Sequence, residues 1–420
     1  MGLTISEKIL LEKSKRKEIR SGEIISVAID LLMGNDPGLP IVISEFKKMG
    51  KINVFDKDKI FFILDHLVPC RDVQSAENNK IIKAFAKEYQ IKNYFDAGRG
   101  GIEHIVLSEN GDVQPGQLII GGDSHTTTQG ALGALALGMG STDLAYSMAF
   151  GETWIKVPQT LKFSLKGKLP QWVGGKDLIL HIISQIGLDG ASYKVMEFSG
   201  DVIHALGMSD RFTMCNMAAE AGAKTAIIEP DEVTLKFMSA FSDGQGKVFH
   251  SDADASYAAI YEIDVSGLCP QVACPYSPDN VKSVNELSGI QIDQVVIGSC
   301  TNGRLEDLKI AAELLKGKTI HPDVRLIVIP GSQKVYLESI QQGLIEIFVS
   351  AGAVVTNPTC GPCWGGHLGL LGAGEKAVAT TNRNFVGRMG HPTSEVYLSN
   401  PSVAAASALK GRIASPEEVF

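Results

Sequence analysis

Short apolar runs alternate with longer amphipathic stretches along most of this chain, and that rhythm leaves few architectures open. KIFFILDH (59–66), QLIIGG (117–122), AIIEP (226–230), QVVIGS (294–299), VRLIVIPG (324–331) and GAVVTNP (352–358) read as strands. Between them, 75–90, 305–316 and 333–349 carry helical periodicity. Apolar runs of this kind, set between helices, mark strands buried on both faces of a largely parallel sheet. The expected fold class is therefore α/β, with largely parallel sheets. A chain of 420 residues exceeds one ordinary core and suggests about three domains. Composition changes near 154–170, and again near 264–290, where CPQVACPYSPDNVK has the proline density of a linker. These breaks divide the chain into units 1–158, 159–285 and 286–420.

Composition closes several functional classes. The formal charge is −8 and the Lys and Arg are scattered, so no basic face for nucleic acid is visible. No apolar run approaches the ~20 residues of a membrane span, and the N-terminus lacks a signal-peptide core. MGLTIS matches a myristoylation pattern, but Thr4 followed by Glu7 reads better as a capping box opening a helix. Seven cysteines without a regular framework fit a reducing compartment, so the cytoplasm is expected. GRGGIE (98–103) fails as a dinucleotide fingerprint and GQGKV (244–248) fails as a phosphate loop.

The reactive residues gather where strands end. Asp65-His66 closes the first run, Asp123-Ser124-His125 follows QLII, Cys300 follows VVIGS, and Cys360 and Cys363 follow AVV. Open α/β sheets bind ligands outside the carboxyl ends of their strands. Asp65-His66, Glu103-His104 and Asp123-His125 are three acid–imidazole groupings on a chain with nine His. A carboxylate beside an imidazole sets its tautomer and basicity, which suits acid–base chemistry. Neighbours on a strand point to opposite faces, so these sequence pairs need not be working partners. Near the C-terminus, Asn382, Arg383 and Arg388 share a glycine-punctuated loop fit to capture carboxylates.

Three cysteines among glycines, prolines and small polar residues can present sulfur to a bound metal. Three thiolates are one short of closing a tetrahedral or iron–sulfur site, and an open metal position belongs to catalysis. The plain alternative is three ordinary buried thiols. A second is a zinc-stabilised binding protein, in which Cys269, Cys274, Cys360 and Cys363 form a four-thiolate site.

SCTNGR, the C-G-P-C tetrapeptide, GGDSHT, GETWIKVP, FTMCNMAAEAGAK and TTNRNFVGRMG occur together and in order. In this combination the chain resembles the aconitase superfamily over essentially its whole length. It is most similar to the large (catalytic) subunits of the isopropylmalate dehydratase and homoaconitase group. The resemblance implies three α/β domains around one [4Fe–4S] cluster, held by Cys300, Cys360 and Cys363. It makes Asp65 and His66 the pair that protonates a departing hydroxyl. It pairs His104 with Glu197 of VMEFSG, and gives Asp123 and His125 the orientation of an iron-bound water. Asn35, Asp36, Ser124, Asn382, Arg383 and Arg388 become substrate contacts. Gly38, Glu103 and Thr127 depart from the family's usual residues. The implied reaction is hydro-lyase chemistry on a 2-hydroxy dicarboxylate, with 3-isopropylmalate foremost and dimethylmalate, citramalate and homocitrate as alternatives. The family's serine base and further arginines match no segment here, so a separate small (swivel) subunit is the expected partner.

Overall fold

The computed structural model describes residues 2–241 and 246–420. Gly244 and Gln245, which begin the GQGKV stretch, lie outside the described residues. Three larger sheets organise the chain, and Ile24–Ala28 pairs antiparallel with Glu152–Lys156 in a fourth, two-stranded one. The first has five parallel strands, in spatial order Asn93–Phe95, Ile60–Ile63, Leu31–Asn35, Leu118–Gly121 and Leu135–Gly138. The second is parallel as well, ordered Thr225–Ile228, Val195–Ser199, Thr160–Lys166, Ala259–Asp264. The third has seven strands. Glu395–Leu398, Lys376–Ala379, Gln294–Ile297, Arg325–Val328 and Val354–Val355 run parallel, and Gln271–Ala273 and Val281–Ser283 add an antiparallel edge.

The strand interiors are buried on both faces, as continuous apolar runs require. One core cluster joins all three sheets through residues such as Met33, Phe61, Phe163, Phe198 and Ile329. The sheets are therefore fixed against each other by shared apolar burial. Thr4 caps helix Ile5–Ser14 and Glu7 closes the capping box, as the sequence predicts. Among the described residues no helix is long and apolar enough to cross a membrane.

Two readings are corrected. The segment 333–349 is two helices, Gln333–Gln341 and Leu344–Ala351, separated where Gly343 takes φ +73°. Helical periodicity resumes after that left-handed residue, which is why the sequence alone reads as one helix. The proline-dense segment after residue 268 is not a linker but holds two strands, Gln271–Ala273 and, at the sheet edge, Val281–Ser283. Pro270, Pro275 and Pro278 fall outside the strand residues, where a missing N–H interrupts no ladder.

Candidate functional site

Asp65 and His66 lie just past strand Ile60–Ile63, where the chain has left the pleat and neighbours can meet. His66 Nδ1 is 2.6 Å from Asp65 Oδ1. Asp36 builds this turn: its Oδ1 accepts from the Asp65 and His66 amides at 3.0 and 2.9 Å, and its Oδ2 accepts from Leu67 N at 2.7 Å. Both Asp36 oxygens thus accept from backbone and fix the turn that carries the dyad. Burial would lower His66, but the adjacent Cys360 and Asp65 outweigh it and hold the imidazole well above its usual range.

Glu103 opens helix Glu103–Glu109 and lies between the imidazoles. Its amide donates to Asp65 Oδ2 at 2.8 Å, and Asn35 Nδ2 donates to its Oε1 at 2.8 Å. The other side of Asn35 accepts from Gly38 N at 3.2 Å. Glu103 is fully buried and its Oε2 has no partner. Burial, with Asp65 and Asp123 nearby, pushes this carboxyl well above the usual carboxylate range.

Asp123 caps the short helix Ser124–Leu132 and serves two imidazoles. Its Oδ1 is 3.1 Å from His104 Nε2 and 3.2 Å from His125 Nδ1. Burial opposes ionisation, yet these two hydrogen bonds hold Asp123 well below its usual value. His104 is itself lowered by burial, and its Nδ1 is unpartnered. His125 Nε2 reaches Glu220 Oε1 at 2.7 Å. Glu220 also takes Arg383 Nε at 2.9 Å, and Arg383 Nη2 donates to Ser124 Oγ at 2.9 Å. Burial would raise Glu220, but His125 and Arg383 keep it below the usual carboxylate range.

Glu197 does not pair with His104. On strand Val195–Ser199 it accepts from Tyr257 Oη at 2.7 Å and Ser251 Oγ at 2.9 Å. The acids near His104 are Asp123 and Glu103, and the distant carboxylate brought into the network is Glu220. Glu220 and Asn216 are the residues sequence reading passed over. Both sit in FTMCNMAAEAGAK, where an Asn and a Glu interrupt a small-apolar run. That interruption is the available signal. Arg388 shares its loop with Arg383, and its Nε is buried without a partner.

The three cysteines converge. Asn382 donates from Nδ2 to Cys300 Sγ at 3.1 Å, and Cys363 Sγ lies 3.1 Å from Asn382 Oδ1. Asn216 accepts from the same Asn382 amide at 2.9 Å. Cys360 and Cys300 pack on one small patch with Ile102 and Ile105, and Cys360 Sγ is 3.8 Å from Asp65 Oδ2. All three are free thiols. Burial pushes Cys300 up to about 12 and Cys360 well above the thiol range, so thiolates form here only against a positive partner such as a metal. Among the described residues, the three sulfurs do not form a group compact to 4.8 Å, unlike Asp65–His66–Cys360 and His104–Asp123–His125. Three thiols spread this way fit a polynuclear group better than a single ion. The zinc arrangement is not assembled: among the described residues, no such compact group includes Cys269 or Cys274.

The model of the aconitase family (aconitate hydratase) matches residues 7–411. The chain is 58% identical to the 3-isopropylmalate dehydratase large subunit of Thermodesulfovibrio yellowstonii over 419 residues, covering 100% of both chains. It is 56% identical to the protein of that name from Moorella thermoacetica, again over 100% of both. Among solved structures, Thermococcus kodakaraensis aconitase X aligns with TM-score 0.50 and 14% identity, covering 91% of this chain and 94% of that one. That likeness is one of fold. With a family model spanning nearly the whole chain and full-length relatives above half identity, this chain belongs to the aconitase family.

Proposed function

We propose that this chain is the large, catalytic subunit of a 3-isopropylmalate dehydratase, a hydro-lyase that interconverts 2- and 3-isopropylmalate. The observation that carries the proposal is full-length identity of 54–58% to large subunits of that name. The gathering of two acid–imidazole networks around three thiols agrees with it. Cys300, Cys360 and Cys363 would hold one [4Fe–4S] cluster. When bound, such a cluster supplies an iron free of protein ligand, a Lewis acid toward the substrate hydroxyl.

The chain's own residues divide the remaining work. His66, oriented by Asp65, carries a proton to the departing hydroxyl. Asp123 holds His104 and His125 in place and orients the water that re-adds. Arg388, with an unpartnered Nε, takes a substrate carboxylate, while Arg383 is steadied by Glu220 and Ser124. Asn382 fixes the thiol geometry. Removing a carbon-bound proton needs a positioned base, and we assign it to a separate small subunit, in keeping with the relatives' designation as large subunits. Seven free thiols suit a reducing cytoplasm. We also read the chain as units 1–158, 159–285 and 286–420, supported by its three larger sheets.

The test is dehydration of 2-isopropylmalate by the anaerobically reconstituted chain, with and without its small subunit. Activity only in the complex, with about four iron and four sulfide per chain, is the expected result. Stoichiometric zinc without sulfide, or a loaded complex inert toward 2-isopropylmalate, overturns the proposal.

A further inference from the structure

Lys176 takes no part in the chemistry above, yet it lies fully buried against the thiol loops. It sits in the first turn of helix Gly175–Ile186, which precedes the second strand of the middle sheet. Its side chain crosses to the third sheet, where Nζ donates to Thr381 O at 2.7 Å, Thr380 O at 3.0 Å and Thr301 Oγ1 at 3.3 Å. Three acceptors saturate the three donors of an ammonium. They also join two specific loops. Thr301 follows Cys300, and Thr381 precedes Asn382, whose amide touches Cys300 and Cys363.

A buried ammonium ordinarily has a carboxylate against it. None of the ion pairs among the described residues includes Lys176, and the nearest acids are committed elsewhere. Asp177 accepts from Gln271 N at 2.7 Å, Gly174 N at 2.8 Å and Asn400 Nδ2 at 2.8 Å. Asp307 accepts from Asn302 Nδ2 and Arg304 N, both at 3.0 Å. Burial draws Lys176 down to about 8, and the largest charges opposing that are Cys300 and Cys363, ahead of either acid. Through Thr301 and Thr381 the ammonium is held one residue from Cys300 and one from Asn382, whose amide touches Cys300 and Cys363.

We propose that Lys176 is a positioning residue that ties the Cys300 and Asn382 loops together and supplies the fixed countercharge for the thiolate-bound cluster. Reducing a cluster adds negative charge, which a nearby cation in a low-dielectric interior favours. Lys176 thus raises the cluster's reduction potential and slows its loss. This rests on the cluster reading above, and the experiment separates the two.

Wild type, Lys176→Gln and Lys176→Arg are reconstituted anaerobically with iron and sulfide, without substrate or small subunit. Potentials are read by dye-mediated titration of the reduced cluster's paramagnetic signal, and cluster retention by iron content during air exposure. Gln keeps donors for the threonine carbonyls and removes the charge. It is expected to shift the potential negative and release iron several-fold faster, while Arg stays near wild type. If Gln assembles no cluster but Arg does, the charge requirement stands. An unchanged potential in Lys176→Gln overturns the inference while leaving the cluster reading intact. Failure of both variants to assemble a cluster also overturns it, since the requirement then lies in lysine's shape. Wild type without iron and sulfide overturns both.

Discussion

A single carboxylate, Asp123, holds two imidazoles, and the balance among those groups depends on a residue far away in sequence. Glu220 takes the outer nitrogen of His125 and the Nε of Arg383, so it aligns an imidazole and a guanidinium together. Glu220→Gln keeps the size and removes the charge. We expect kcat to fall about 10²-fold, as for a misaligned catalytic group, with iron content unchanged. Full activity in that variant would reduce the pair to a structural contact. Residue chemistry was partly legible before the fold. The cysteines, Asp65-His66 and Asp123-His125 stand at strand ends, where α/β sheets present functional groups, and the structure gathers them. Glu197 and Glu220 could not be told apart by pattern, because each is a lone acid in a buried run and only tertiary packing decides which meets an imidazole. Asp36 lies beside the dyad, its oxygens accepting from the amides of Asp65, His66 and Leu67, a role in the turn that pattern alone does not show.

Elements near the site depend on polar ties as much as on apolar burial. Asp231 caps helix Glu232–Ser239 through Thr234 N at 3.1 Å. It also makes a two-pronged pair with Arg211 of helix Met208–Met217, at 2.7 Å on each prong. The Arg211 side chain is 0% exposed, so neutralising Asp231 strands a buried cation. Asp231→Asn retains capping ability and loses the charge, and should cost about 3–5 kcal/mol by denaturant unfolding. Burial opposes ionisation of Asp231, but Arg211 and His204 hold it well below its ordinary 3.8. Its folded value is lower than its unfolded one. The stabilisation is therefore complete above pH of about 4 and is lost as the pH falls through the ordinary carboxylate range toward the folded value. The variant should lack this part of wild type's acid sensitivity, and identical acid profiles would contradict the pair's role. Apolar runs located six of the eighteen strands among the described residues, and passed over others as buried as Leu31–Asn35. The break at Gly343 and the strands Gln271–Ala273 and Val281–Ser283 also escaped, since one turns on a single left-handed residue and the others are too short for a period.

Across the whole molecule, the first and third sheets are stitched at the site. Asp65 O accepts from Thr359 Oγ1 and Cys360 N, both at 2.8 Å, and Val68 O accepts from Asn357 Nδ2 at 3.1 Å. Arg71 donates to Gly366 O in the same seam. A metal group held by Cys300, Cys360 and Cys363 would brace this seam, because its ligands leave two separate loops. Chelating the iron should speed amide exchange in 65–71, 298–304, 357–367 and 380–384, and leave the core around Phe163 protected. Uniform acceleration would mean that the metal supports global folding instead. The seam also imposes an order of events. Cys360 meets the Asp65 carboxylate across 295 residues of chain. A ribosome releases the dyad long before the thiols that complete its surroundings. A cluster held by these thiols would enter loops already drawn together, and a delivery protein would meet a nearly finished molecule.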